Sequence, residues 1–196
     1  MKSDRHSVVV ARDAILRSAL RQVEKEGILG LRVAEVAKGA NCSITQIYRF
    51  FGDRDGLLAQ LLGDLYQEIL GTTTQAFESR VFSKPVVTID DILAALPEMF
   101  GGPSVRGQQM RLQILAASVT NTQLRQRLEQ IMRDQSKIWE AGLDEIERKL
   151  APGQKFDRRV FTMLLANLLP YYRTLLGVDG FTNEEFLTFL RDKLTT

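Results

Sequence analysis

Residues 43–54 carry the side chains in this chain best suited to a chemical task, and that task is hydrogen bonding to a polyanion. Ser43 can cap a helix, and Gln46, three residues on, can complete a capping box. At helical spacing Ile47 and Phe50 or Phe51 turn inward, which leaves Ile44, Thr45, Gln46, Tyr48 and Arg49 facing outward. Gln pairs with adenine, Arg with guanine or phosphate, and Thr with phosphate or a thymine methyl group. Tyrosine hydroxyls commonly bond phosphate. A short helix fastened at its N-terminus and bearing this set is built to read double-stranded DNA. Bond-making chemistry has much less to draw on. The one histidine is His6 and the one cysteine is Cys42. Any Ser-His-Asp or Cys-His arrangement would have to use His6, at the very start of the chain. No zinc cluster and no phosphate-binding glycine loop can be read. We therefore expect neither an enzyme nor a protein with a cofactor or metal.

The elements that must hold this helix read as α-helices, and the fold class expected is all-α. From Arg12 to Glu26, the residues Ile15, Leu16, Ala19, Leu20 and Val23 share one face, and Gly27 is a natural stop. A short helical segment covers residues 33–38, where Ala37 is small enough for a close helix crossing. Residues 39–42 form a tight turn in which Asn41 suits the left-handed conformation. Leu57, Leu58, Leu61, Leu62, Leu65 and Ile69 then stripe a helix over residues 54–69, which Gly71 and three threonines should weaken. Residues 80–90 read as a connection. Thr88 and Asp91 make a capping box for the next helix, which Pro97 should kink and Gly101-Gly102-Pro103 should end. Ser104 can cap a helix to about residue 120, and Asn121 or Thr122 a long one to Leu150. Another helix is expected over residues 157–176 with Pro170 inside, and a last one opens on a Thr182/Glu185 box. Only residues 8–10 and 86–87 hint at a strand.

Charge and composition agree with this division. Residues 1–51 hold nine Lys/Arg against five Asp/Glu, whereas residues 52–196 hold seventeen against nineteen. The basic excess is N-terminal, where an anionic partner would bind. A single cysteine rules out a disulfide framework within the chain. No apolar run approaches the ~18 residues that cross a bilayer, and the first residues lack a signal-peptide segment, so a cytoplasmic location without membrane contact is expected. The Asn41-Cys42-Ser43 glycosylation pattern is then a chance match.

Residues 12–65 resemble the DNA-binding domain of the TetR family of bacterial transcriptional regulators. The shared features are I-L-x-x-A-L from Ile15, Glu24-Lys25-Glu26-Gly27, V-A-E-V-A from Val33, and the block Ser43-x-x-x-x-Tyr48-x-x-Phe51-x-x-Arg54-Asp55-x-Leu57-Leu58. The resemblance implies that residues 44–50 read the major groove and that Tyr48 and Arg54 hold phosphates. Four positions depart from the family pattern. Arg32 stands where a capping Thr or Ser is common, and could bond phosphate instead. Asn41 replaces a turn glycine, Arg54 a lysine, and Thr45 a frequent glycine. With Lys38 and Ser43 these complete the expected DNA-contacting set.

By the same resemblance, residues 1–53 are a three-helix helix-turn-helix domain and residues 54–196 a larger helical domain for ligand binding and dimerisation. A pocket is expected among Tyr66, Ile69, Phe100, Met110, Ile114, Met132, Gln135 and Trp139, for a small apolar or amphipathic ligand. Phe161, Leu164, Leu165 and Leu168, with Phe186, Phe189 and Leu190, are expected to pair with a second copy in a four-helix interface. The implied function is a homodimeric repressor on a palindromic operator, released by its ligand. Two other readings stand beside it. One is a DNA regulator or DNA-organising protein controlled by a protein partner, without a pocket. The other is a helical enzyme or binding module that merely retains the hairpin.

Overall fold

The computed structural model describes residues 2–96, 104–167 and 182–194. Among these the regular elements are α1 (Lys2–Glu26), α2 (Val33–Gly39), α3 (Ile44–Phe51), α4 (Arg54–Phe82), α5 (Ile89–Ala95), α6 (Ser104–Ser118), α7 (Thr122–Lys149), α8 (Arg158–Asn167) and α9 (Asn183–Leu194). The all-α expectation is met: the sole extended pairing among the described residues is one parallel bridge, Val87 with Leu150. The valines at 8–10, which hinted at a strand, lie inside α1.

Local signals account for most helix ends. Gly27 stops α1 at φ +76 and donates to the Val23 carbonyl at 2.9 Å. The Thr88/Asp91 and Thr182/Glu185 capping boxes both form, and Asn121 rather than Thr122 caps α7. Two helices run further than their composition suggests. α1 extends back to Lys2, and α4 continues thirteen residues past Ile69. Thr73 returns its hydroxyl to the Ile69 carbonyl at 3.0 Å, so it satisfies itself inside the helix. Thr74, Phe77 and Val81 are buried, and their burial outweighs the weak propensity of Gly71 and the threonines. Pro97, the Gly101-Gly102-Pro103 stop and Pro170 lie outside the described residues.

The chain forms two compact units. The first takes in residues 1–67 and 113–131, the second residues 68–112 and 132–196, so α4, α6 and α7 each contribute to both. In the first unit Ile15, Ala19 and Val23 of α1 meet Val33, Val36 and Ala37 of α2 and Ile47 and Phe51 of α3. Leu57, Leu58, Leu61 and Leu62 of α4 are also buried there, as are Ile114, Leu124 and Leu128. In the second unit Phe77, Val81, Val87, Ile92, Leu93, Leu143 and Ile146 form one core with residues of α8 and α9. The Phe77 ring lies 5.8 Å from Trp139 and 6.4 Å from Phe161.

That core takes up part of the expected dimer face. Phe161, Phe186 and Leu190 are consumed by their own subunit's core, because the apolar stripes of α8 and α9 pack on α5 and on the C-terminal parts of α4 and α7. Phe189 is 46% exposed and is the described side chain of the set that remains available. Nothing is described of the side chains of Leu164 and Leu165, and Leu168 lies outside the described residues.

Candidate nucleic-acid interface

The interface is built on α1. Ser18 is buried and donates its hydroxyl to the Val36 carbonyl at 3.0 Å. Gly39 presses on the same serine, since a Cβ there would lie 2.3 Å from the Ser18 oxygen. Gly39, more than Ala37, is therefore the position where the close crossing demands the smallest residue. Arg32 precedes α2 and makes no side-chain cap; its own N–H donates at 2.8 Å to the Gln22 side chain of α1. The missing cap is thus partly replaced from another helix, and the Arg32 side chain faces outward.

The turn between α2 and α3 uses Asn41 at φ +51, in the left-handed region that asparagine tolerates. Cys42 closes it, donating its N–H to the Ala37 carbonyl at 3.0 Å. Burial pushes the Cys42 thiol up, away from the reactive thiolate. Ser43 is extended and accepts from the Gln46 N–H at 3.1 Å. The expected capping box is half formed: the cap is present, and the Gln46 side chain is not spent on a return bond to Ser43.

α3 then divides cleanly. Ile47 and Phe51 are buried, while Ile44, Thr45, Tyr48 and Arg49 are exposed, Tyr48 to 43%. Two cations lie over the aromatic end of the helix, Arg12 over Phe51 and Arg49 over Phe50, each 5.4 Å from the ring centroid. Gly52 ends α3 at φ +81. The structure brings Ser43, Ile44, Thr45, Gln46, Tyr48 and Arg49 together on this one short helix and its cap, and places exposed Lys38 at the end of α2.

Arg54, expected to hold a phosphate, makes contacts within the fold. Its guanidinium is turned onto the α1–α2 loop, donating to the carbonyls of Leu31 at 3.1 Å, Ile28 at 3.4 Å and Leu29 at 3.4 Å. The guanidinium's five N–H donors, fixed in a planar fork, reach three carbonyls from one side chain. Sequence reasoning missed this use, and it missed Asn121 and Gln123, which reach the start of α4 from the start of α7. The capping signal at Asn121 was legible; its second hydrogen bond was not.

Residues 15–61 match the family model described as bacterial regulatory proteins, tetR family. Over 66 residues the chain is 32% identical to the HTH-type transcriptional regulator BetI of Burkholderia ambifaria (strain MC40-6), covering 34% of each chain. It is 27% identical over 97 residues to BetI of Burkholderia cenocepacia (strain HI2424), covering 46% of this chain and 50% of that one. The likeness to the tetR family thus lies in the N-terminal part of the chain, over residues 15–61. These alignments span only 34% and 50% of the two relatives' own lengths. The TetR fold itself extends over nearly the whole chain. A TetR-family structure from Rhodococcus sp. superposes with a TM-score of 0.58 at 21% identity, covering 96% of this chain and all of that one. The multidrug binding protein EbrR, complexed with imidazole, gives 0.63 at 20% identity, covering 94% and 89%. A Saccharomonospora viridis protein in complex with choline gives 0.58 at 16%, covering 93% and 94%.

The expected pocket residues are divided between the two units. Tyr66 and Ile114 are buried in the first. In the second, Ile69 and Met110 are half-buried, Met132 is exposed, and Gln135 is buried with its amide donating to Thr74 at 2.9 Å. Phe100 lies outside the described residues. Trp139 lines a cleft with Thr74, Phe77, Glu78, Phe82 and Ile138, whose interior volume is about 10 Å³, room for one water. Among the described residues no group of three His, Cys, Asp or Glu could hold a metal ion, and no helix is long and apolar enough to cross a membrane.

Proposed function

We propose that this chain is a DNA-binding transcriptional regulator, a repressor that works as a homodimer on a palindromic operator and is released by a small molecule bound in its C-terminal region. The observation that carries the reading is α3, held from beneath by Ile47 and Phe51 and capped by Ser43, with Thr45, Tyr48 and Arg49 left exposed. Gln and Arg supply base-edge contacts, Thr, Tyr and the Ser43 cap supply phosphate contacts, and Lys38 and Arg32 add positive charge beside them. Two copies are required by geometry: a palindrome presents its half-sites about 34–36 Å apart, and one short helix reads only one of them. Release follows if the ligand binds better to a conformation whose two reading helices no longer match that spacing. Solved proteins of this fold hold imidazole and choline, which supports a small organic ligand here.

A second reading keeps the DNA and replaces the ligand by a protein partner. In that reading the Trp139 cleft, with room for one water, is packed core and not a binding site. The test of the DNA-binding core is selection of bound duplexes from a random pool, with wild type and Tyr48→Ala in parallel. Enrichment of an inverted repeat, weakened by the substitution, is the expected result. No enriched sequence at low or moderate salt would overturn the reading.

A further inference from the structure

Asn121 stands immediately before α7 and is only 6% exposed. Its Oδ1 accepts from the Leu124 N–H at 2.8 Å, which caps α7. Its Nδ2 donates at 3.0 Å to the backbone carbonyl of Asp55, 66 positions back along the chain in the first turn of α4. One side chain thus caps one helix and ties it to the start of another. Two residues on, Gln123 Nε2 lies 3.3 and 3.4 Å from the two oxygens of Asp53. Asp53 is itself the cap of α4, accepting from the Gly56 N–H at 2.6 Å.

These contacts meet at the exit from the reading helix. α3 and α4 are separated only by Gly52 and Asp53, and Gly52 sits at φ +81, where glycine alone among the residues is at ease. Nothing in such a joint fixes the angle between the two helices. The packing around it does. A Cβ on Gly56 would lie 1.9 Å from the Phe51 carbonyl oxygen and 3.1 Å from Gln123 Oε1. A Cβ on Gly63, two turns along α4, would lie 2.2 Å from Arg127 Nε, and Arg127 ion-pairs with the neighbouring Asp64. The first turns of α7 therefore lie against the first turns of α4, and the Phe51 carbonyl at the end of α3 comes close to Gly56.

We propose that Asn121 and Gln123 are positioning residues for the reading helix: acting through the Asp55 carbonyl and the Asp53 carboxylate, they set the angle at which α3 leaves α4. The proposal rests on the DNA-binding reading above. Base readout tolerates little misplacement, whereas attraction to phosphate is far less directional, so the two kinds of binding should separate.

The experiment uses the full chain and an operator selected with the wild type. Asn121→Ser keeps an oxygen able to cap α7 and is too short to reach Asp55, and Gln123→Ala removes an exposed side chain. Affinity is measured for the operator and for an unrelated duplex of equal length, beside thermal melts. The expected result is a loss of about 3- to 10-fold in operator affinity for each variant, the scale of one hydrogen bond. Affinity for the unrelated duplex and the melting of Gln123→Ala should stay at wild-type values. Variants that keep wild-type operator affinity, or that lose both affinities in the same proportion, overturn the proposal while leaving the DNA-binding reading intact. A wild type that selects no operator overturns both.

Discussion

Arg54 shows how one side chain can be claimed by two tasks. Its resemblance to a family position implies a phosphate contact, while the structure spends its guanidinium on three carbonyls of residues 28–31. These carbonyls belong to the loop that carries Leu31 into the core and Arg32 to the front of α2. Because the side chain is 40% exposed, water screens part of the gain. Arg54→Ala should cost roughly 1 kcal/mol of stability in urea unfolding, with Arg54→Lys recovering part of it. The salt dependence of DNA binding should keep its slope. A slope that falls by about 0.9 with unchanged stability would instead assign Arg54 to a phosphate. At this scale the sequence was legible wherever a residue acts on its own neighbours. Asn41 in the left-handed turn and Ser43 on the Gln46 N–H both follow from residue type and spacing. Arg54, Asn121 and Gln22 act across 23, 66 and 10 positions, and nothing in their spacing says which carbonyl or N–H they will meet.

Among the elements, helix ends were legible and helix lengths were not. Caps are local, so Gly27, Thr88 and Thr182 declared themselves. The extension of α4 through Gly71 and Thr72 to Phe82 depends on burial of Thr74, Phe77 and Val81 against other parts of the second unit, which no local rule foresees. The α5 cap offers a test with a defined sign. Lys84 donates to the Asp91 carboxylate, and the Thr88 N–H and hydroxyl do so too, holding its pKa at about 2 against an ordinary 3.8. A carboxylate held below its unfolded value stabilises the fold above the unfolded pKa and loses that contribution as pH falls through the folded one. Wild type should therefore lose stability between about pH 4 and pH 2 by more than Asp91→Asn does, and melts across that range read the difference. Equal slopes for the two proteins would mean that the box contributes nothing beyond geometry. In the other unit, Ser43→Ala should lower stability by about 1 kcal/mol through the lost α3 cap, and Ser43→Asp should restore it. The same Ser43→Asp change should still weaken DNA binding, because it sets a negative charge beside phosphate.

For the whole molecule, the proposed homodimer needs a face on which two copies would meet, and sequence periodicity alone does not identify it. An apolar stripe on a terminal helix looks the same whether it faces its own core or a partner, and α8 and α9 turn Phe161, Phe186 and Leu190 inward. Phe189 stands apart, 46% exposed on the same helix as two buried neighbours. Substituting Phe186 or Leu190 would therefore report on folding, whereas Phe189 can report on assembly. If α9 contributes to a homodimer, Phe189→Glu should shift the sedimentation profile toward monomer at micromolar concentration while the melting temperature of the monomer is retained. Binding to a palindrome should then fall steeply, and binding to a single half-site should stay as it was, because each α3 is untouched. A Phe189→Glu protein that remains dimeric and binds the palindrome normally would move the interface off this face of α9, and leave the requirement for two reading helices to be met by another surface.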